Sequence, residues 1–456
     1  MKVFQHICLL FLLSLTTFFI SCNTTATPVS VSDDATVKAM YFQSNDSSPN
    51  LSKGVFIVDH EKGLIYNPDS LPYKTRVDSA YAVFSFASTD GYLINDTFPE
   101  TSYITSKSYN YSKPVKITNY ASDKKSKKEY TIIVNVHKVE TYLHVWKNPV
   151  SNITEDATDN QKAVLLNNKY FFFTGNGSTT RLYSSADAST WSPESTPAGL
   201  PAGATFRNMI VYNNQILLLH NGNELYTSKN ALTWEKHLLI GDNNYDFLVL
   251  LFNFKNQYWS VAQNKTTKRL NIASSQDGIT WSVQNALSTR FPVSDFAATT
   301  FTPRLGREKV IIVGGKDADG KKLNTRWSAE NDPTTDSLHW VNLNNSSSKF
   351  DAVSGAAIAY YGSKLILIGG ADTYDQLRDT SFQMRQSIDE GLTWAKPDTT
   401  QNKLPASFKY RTNSSLIHNK TNNTLYIIGG KSILMPFSDV WTVKANFYNF
   451  VDPSKY

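Results

Sequence analysis

The octapeptide Ser387-Ile388-Asp389-Glu390-Gly391-Leu392-Thr393-Trp394 carries the main architectural signal in this chain. Ser275-Gln276-Asp277-Gly278-Ile279-Thr280-Trp281 repeats the pattern one residue shorter. Ala188-Ser189-Thr190-Trp191, Ala231-Leu232-Thr233-Trp234 and Ser337-Leu338-His339-Trp340 share the ending. With Trp146, these tryptophans stand at 146, 191, 234, 281, 340 and 394, at intervals of 45, 43, 47, 59 and 54 residues. Upstream of the late ones lie apolar strands that end in Gly-Gly, at 309–315, 364–370 and 424–430, and earlier copies lie at 170–175 and 215–220. Each unit reads as four short strands. Four strands on a period near fifty residues predict a propeller blade, and six tryptophans predict six of them.

The last unit runs from Arg411 through 424–430 to Val440-Trp441-Thr442-Val443 and lacks a Thr-Trp strand. Leu143-His144-Val145-Trp146-Lys147 matches the missing piece. Residues 143–147 are therefore expected to close the final blade and remove its open edge.

Composition agrees with an all-β chain. Aromatics make up 13% of 456 residues, and rings favour pleated, half-buried surfaces. Lys+Arg number 45 against 39 Asp+Glu, and the net charge of +6 gathers into no stripe, which argues against nucleic acid. The only cysteines are Cys8 and Cys22, so the folded part has no disulfide, thiolate metal site or cysteine nucleophile.

Lys2 followed by an apolar run over 7–20 and then Ser21-Cys22 reads as a signal peptide at 1–21. The Ser21-Cys22 step resembles the bacterial lipobox, which implies lipidation of Cys22 and attachment to a membrane. A polar tether, 22–35, follows. Over 36–139, alternating segments such as 37–42, 54–58, 81–86, 115–118 and 130–136 predict an immunoglobulin-like β-sandwich, with the lysine-rich 122–129 as a solvated hairpin turn. The propeller is assigned 140–456.

The Gly-Gly strands resemble Kelch repeats, and 387–394 resembles the Asp box of sialidases, which implies a turn whose aspartate caps backbone N–H groups and whose tryptophan packs between blades, a mark of architecture that lies away from active sites. Together with Ile65-Tyr66-Asn67-Pro68-Asp69-Ser70-Leu71-Pro72-Tyr73, Ser112-Lys113-Pro114-Val115 and the 130–137 strand, the chain resembles Bacteroidota lipoproteins of unknown function. Those proteins join an immunoglobulin-like domain to a Kelch-like propeller. The resemblance implies a spacer near the outer membrane, with the membrane face undecided.

In Kelch-like propellers the residues leading into each innermost strand line one mouth of the central channel. Here those positions hold Arg207, Asp246, Asp295, Asp351 and Arg411, with Tyr245 and Tyr410 among the aromatics beside them. Carboxylates and guanidinium groups suit sugar hydroxyls, rings suit C–H faces, and arginine takes a carboxylate in two hydrogen bonds. The same residues would serve equally as strand ends that pair with one another. Two functions stay open: binding of a glycan or an envelope protein, and catalysis on a sugar or sialic acid at the mouth. Galactose-oxidase chemistry needs a cysteine, and none follows residue 22. The sialidase set needs a third arginine and a glutamate beside Arg207, Arg411 and Tyr410. His220 and His418 are isolated, so no metal or other cofactor is expected.

Overall fold

The computed structural model describes residues 31–97, 107–140, 143–303, 306–332, 334, 338–344, 350–370 and 384–446. The signal peptide, Cys22 and most of the tether lie outside the described residues. The chain divides into two compact units, with described parts 31–140 and 143–446.

In the first unit, Val37–Gln43 pairs antiparallel with Tyr81–Phe86. A second sheet has five strands, in the order Ile57–Asp59, Leu64–Tyr66, Lys127–Ile133, Val115–Tyr120, Gly91–Ile94. Alternation places Met40, Phe42, Ala82, Ile117, Tyr130 and Ile132 in one core shared by both sheets. The hairpin 115–133 turns at 121–126, so Lys127 and Lys128 belong to its second strand rather than to the loop.

Among the described residues the second unit contains six sheets. In the first, Gln161–Leu166, Lys169–Gly175, Thr180–Ser185 and Ser192–Pro193 pair in sequence, all antiparallel. Sheets at 209–238, 245–286 and 297–342 repeat the order, and the fifth shows three strands among the described residues. The sixth runs Ser415–Asn419, Thr424–Lys431, Pro436–Ala445, and His144–Val150 is its fourth strand, with Trp146 opposite Val443. In four sheets the first two strands meet at two residues of positive φ: Asn167-Asn168, Asn213-Asn214, Lys255-Asn256 and Gly362-Ser363. That turn matches the right-handed twist of the strands it joins.

Apolar clusters bind each sheet to the next. Phe173 and Val164 meet Met209 and Leu218; Leu217 meets Phe247; Phe252 meets Ile312; Ile311 meets Ile358; Ile366 meets Ile427. Tyr170 and Phe172 of the first sheet then meet Tyr426 and Ile428 of the sixth, and the ring is closed. The glycine pairs end second strands. A Cβ on Gly314 would collide with Val353, on Gly369 with Arg411, and on Gly429 with Gln161, each in the segment leading into the following sheet. Glycine there allows close approach as well as a left-handed turn. Gln161 completes the seam, donating to the Gly430 carbonyl at 3.2 Å and accepting from its N–H at 3.1 Å.

The serine–aspartate turn recurs with one wiring. Asp277 accepts from the N–H groups of Ile279 and Thr280 at 2.7 Å each, and the Trp281 indole donates to the Gly278 carbonyl at 2.8 Å. Asp389 and Trp394 do the same. So do Asp187 with Trp191 and Asn230 with Trp234, which the octapeptide pattern did not single out.

Candidate functional site

Innermost strands of the ring, or the residues just ahead of them, enclose a cavity of about 390 Å³. Each sheet contributes: Gln161 and Lys162, Met209 and Ile210, 249–251, Ala298, Ala356, and finally Asn413 and Ser414. The lead-in segments are stitched together around it. Gly355 N–H donates to the Asp295 carbonyl and Asn413 N–H to the Gly355 carbonyl, both at 2.7 Å. On the opposite side Phe206 N–H donates to the Asn160 side chain at 2.9 Å.

Arg207, Asp295, Gly355 and Asn413 also line an open hollow of about 640 Å³, the mouth of the channel. Arg207 lies 3.3 Å from the Asp295 carboxylate and donates to the Asp159 carbonyl at 3.3 Å. Lys316 reaches Asp295 at 2.8 Å, and Lys431 reaches Asp159 at 2.5 Å. With Lys322, four cations face two carboxylates. Burial pushes the Asp295 carboxyl up, but the Lys316 ammonium and the Arg207 guanidinium outweigh it and hold the group below the usual range. Asp295 also holds a left-handed backbone, φ +51°, a conformation that aspartate adopts more readily than most residues. Beside the mouth, Ile433, Leu434 and Met435 form an exposed hairpin tip, with Leu434 91% exposed.

Of the seven residues that the sequence places at the mouth, Arg207 and Asp295 come together there. The others are spent elsewhere. Arg411 has a fully buried side chain that binds Asp439 with both Nη atoms, at 2.5 and 3.0 Å, and stacks between Phe408 and Phe437. Asp351 pairs with Arg385 at 3.1 Å, and Asp246 with Lys265 at 3.5 Å. Tyr245 packs between the second and third sheets, and Tyr410 is half-buried; neither lines the cavity or its mouth. The physical reason is register. Arg207 and Asp295 stand two residues ahead of Met209 and Ala297, where their strands begin. Asp351, Tyr410 and Arg411 stand four or five ahead of theirs. Tyr245 and Asp246 begin a ten-residue strand with two bulges, whose cavity-lining part starts only at Val249.

His418 bonds the Asn423 side chain at 3.1 Å, and His220 lies edge-on to Tyr226. Among the described residues no cluster of three His, Cys, Asp or Glu is placed to hold a metal ion. Sequence reasoning missed Lys162, which lines the cavity from within the innermost strand of the first sheet. Its signal was a lysine inside an otherwise apolar run, Ala163-Val164-Leu165-Leu166 following it directly.

No curated protein matches this chain. Among solved structures, the Bombyx mori GH32 beta-fructofuranosidase BmSUC1, as a mutant in complex with sucrose, is 14% identical with a TM-score of 0.33, covering 57% of this chain and 66% of that one. The same enzyme without that mutation is 15% identical with a TM-score of 0.32, covering 58% and 66%. The chain spans slightly less than two thirds of those structures, and likeness at this level carries over neither activity nor substrate. Family models are more direct: residues 26–134 match the DUF6242 N-terminal domain, a domain of unknown function, and residues 143–452 match the DUF6242 beta propeller domain. A ring of sheets, each packed on the next and the last on the first, is what a propeller requires, and the chain belongs to the DUF6242 family.

Proposed function

We propose that this protein is a binding component of a bacterial cell envelope. Lipid on Cys22 anchors it to the outer membrane, an immunoglobulin-like sandwich over 36–139 serves as spacer, and a six-bladed, Kelch-like propeller over 140–456 takes a glycan at its mouth. The six sheets and the closing strand support the blade count. The observation that carries the binding role is the mouth itself: Arg207, Asp295 and Lys316 converge over a cavity of about 390 Å³, within the ~300–1,000 Å³ usual for small-molecule sites. Binding is favoured over glycoside hydrolysis because hydrolysis ordinarily uses two carboxyl groups facing each other. Among the described residues the mouth and cavity hold two carboxylates, and cations occupy both: Arg207 and Lys316 hold Asp295, and Lys431 holds Asp159.

A glycan array tests the reading. Wild-type protein should bind, and Arg207→Ala should abolish binding while changing stability by less than about 1 kcal/mol, as for a partly exposed pair. Arg411→Ala should instead unfold the propeller at lower urea, by about 3 kcal/mol or more, because it leaves Asp439 without its buried partner. If no glycan binds wild-type protein, the role moves to a protein partner. The exposed Ile433-Leu434-Met435 tip beside the mouth is the surface that favours this second reading.

A further inference from the structure

One charged side chain in the channel has no counter-ion. Lys162 is the second residue of its strand, opposite Phe173, and the cavity it lines contains two other charged groups, Arg207 and Asp295, which hold each other. On the elements packed against that strand the remaining charges are also occupied. Lys431 holds Asp159, Lys169 holds Glu194 at 2.9 Å, and His418 is engaged by Asn423. Among the described residues the Lys162 side chain has neither a hydrogen bond nor an ion pair. Burial alone acts on its ammonium and pushes its pKa down. Much of the surrounding wall is aliphatic, from Met209, Ile210 and Leu250.

A half-buried cation without a partner lowers the stability of the fold, and an anion placed beside it would recover that loss. We propose that Lys162 is the counter-ion for the negative group of an acidic sugar, which enters the channel charged end first and leaves its neutral part toward Arg207. The anionic group is a carboxylate or a sulfate ester. This inference rests on the glycan reading of the mouth and narrows it to acidic glycans.

The test is calorimetric titration of wild-type, Lys162→Met and Lys162→Gln proteins with glucuronate, a sulfated glucose, glucose and inorganic phosphate. Wild-type protein should prefer an acidic sugar over glucose by about tenfold or more, the contrast expected for a charged hydrogen bond. Which acidic sugar wins separates carboxylate from sulfate. Both variants should lose that preference, keep any binding of glucose, and melt no lower than wild type, since they remove an unpaired, half-buried charge. Equal binding of glucose and glucuronate by wild-type protein, or a preference that survives in both variants, overturns the role of Lys162 and leaves the glycan reading standing. If no sugar binds but phosphate does, and Lys162→Met abolishes it, the glycan reading fails and the anion site stands without its sugar. Silence toward every probe overturns both.

Discussion

Asp277 shows how much one side chain contributes to this ring. Burial pushes its carboxyl up, but the N–H groups of Thr280 and Ile279, with the Ser275 and Thr280 hydroxyls, hold it down at about 2 against an ordinary 3.8. A group whose folded value is depressed stabilises the protein above its unfolded value and loses that contribution as pH falls toward the folded one. The second sheet makes the same turn with Asn230, which carries no charge. Asp277→Asn should therefore fold normally and melt below wild type at pH 7, and the gap should close as pH drops from about 4 toward 2. A gap that stays constant across that range would locate the effect in something other than ionisation. At this scale the sequence was readable where a motif is local. The turns at Asp277 and Asp389 were readable from the Asp-box motif, because donor and acceptor lie within four residues of each other. Arg411 was not readable, because its partner Asp439 is 28 positions away and only the sheet brings them together.

At the scale of elements, the strand that closes the sixth sheet comes from the other end of the ring. Its anchor is Trp146, whose indole donates to the Asn402 side chain at 3.0 Å and meets Phe408 edge-on. Trp146→Ala should lower unfolding free energy by about 2 kcal/mol, a half-buried fraction of the loss for a core tryptophan. Urea unfolding measures it, and a change under about 0.5 kcal/mol would mean the strand adds little to closure. Periodicity exposed the repeated sheets because Trp191, Trp234, Trp281 and Trp340 each stand immediately ahead of a sheet's fourth strand, while Trp146 lies two residues inside His144–Val150. It could not expose bulges such as those in Tyr245–Phe254, which shift side chains along a strand without changing its composition. That is why Arg207 and Asp295 were placed at the mouth by sequence, and Asp246 was placed there too although it pairs with Lys265 instead.

For the whole molecule, the anchoring proposal has a direct check. Cys22→Ser should move the protein from the membrane fraction to the soluble fraction, and unchanged retention would count against lipidation. The ring's closure gives such an anchor a mechanical meaning. Tension arriving from residues before 143 pulls on the His144 end of the closing strand. Ala445, opposite His144, is the far end of its neighbour, whose other end, Pro436, joins the body of the ring. A pull directed along the closing strand would load the paired strands from opposite ends, with their hydrogen bonds in shear rather than opened one at a time. A propeller holding a ligand against flow would grip hardest at the seam where its first strand meets its last.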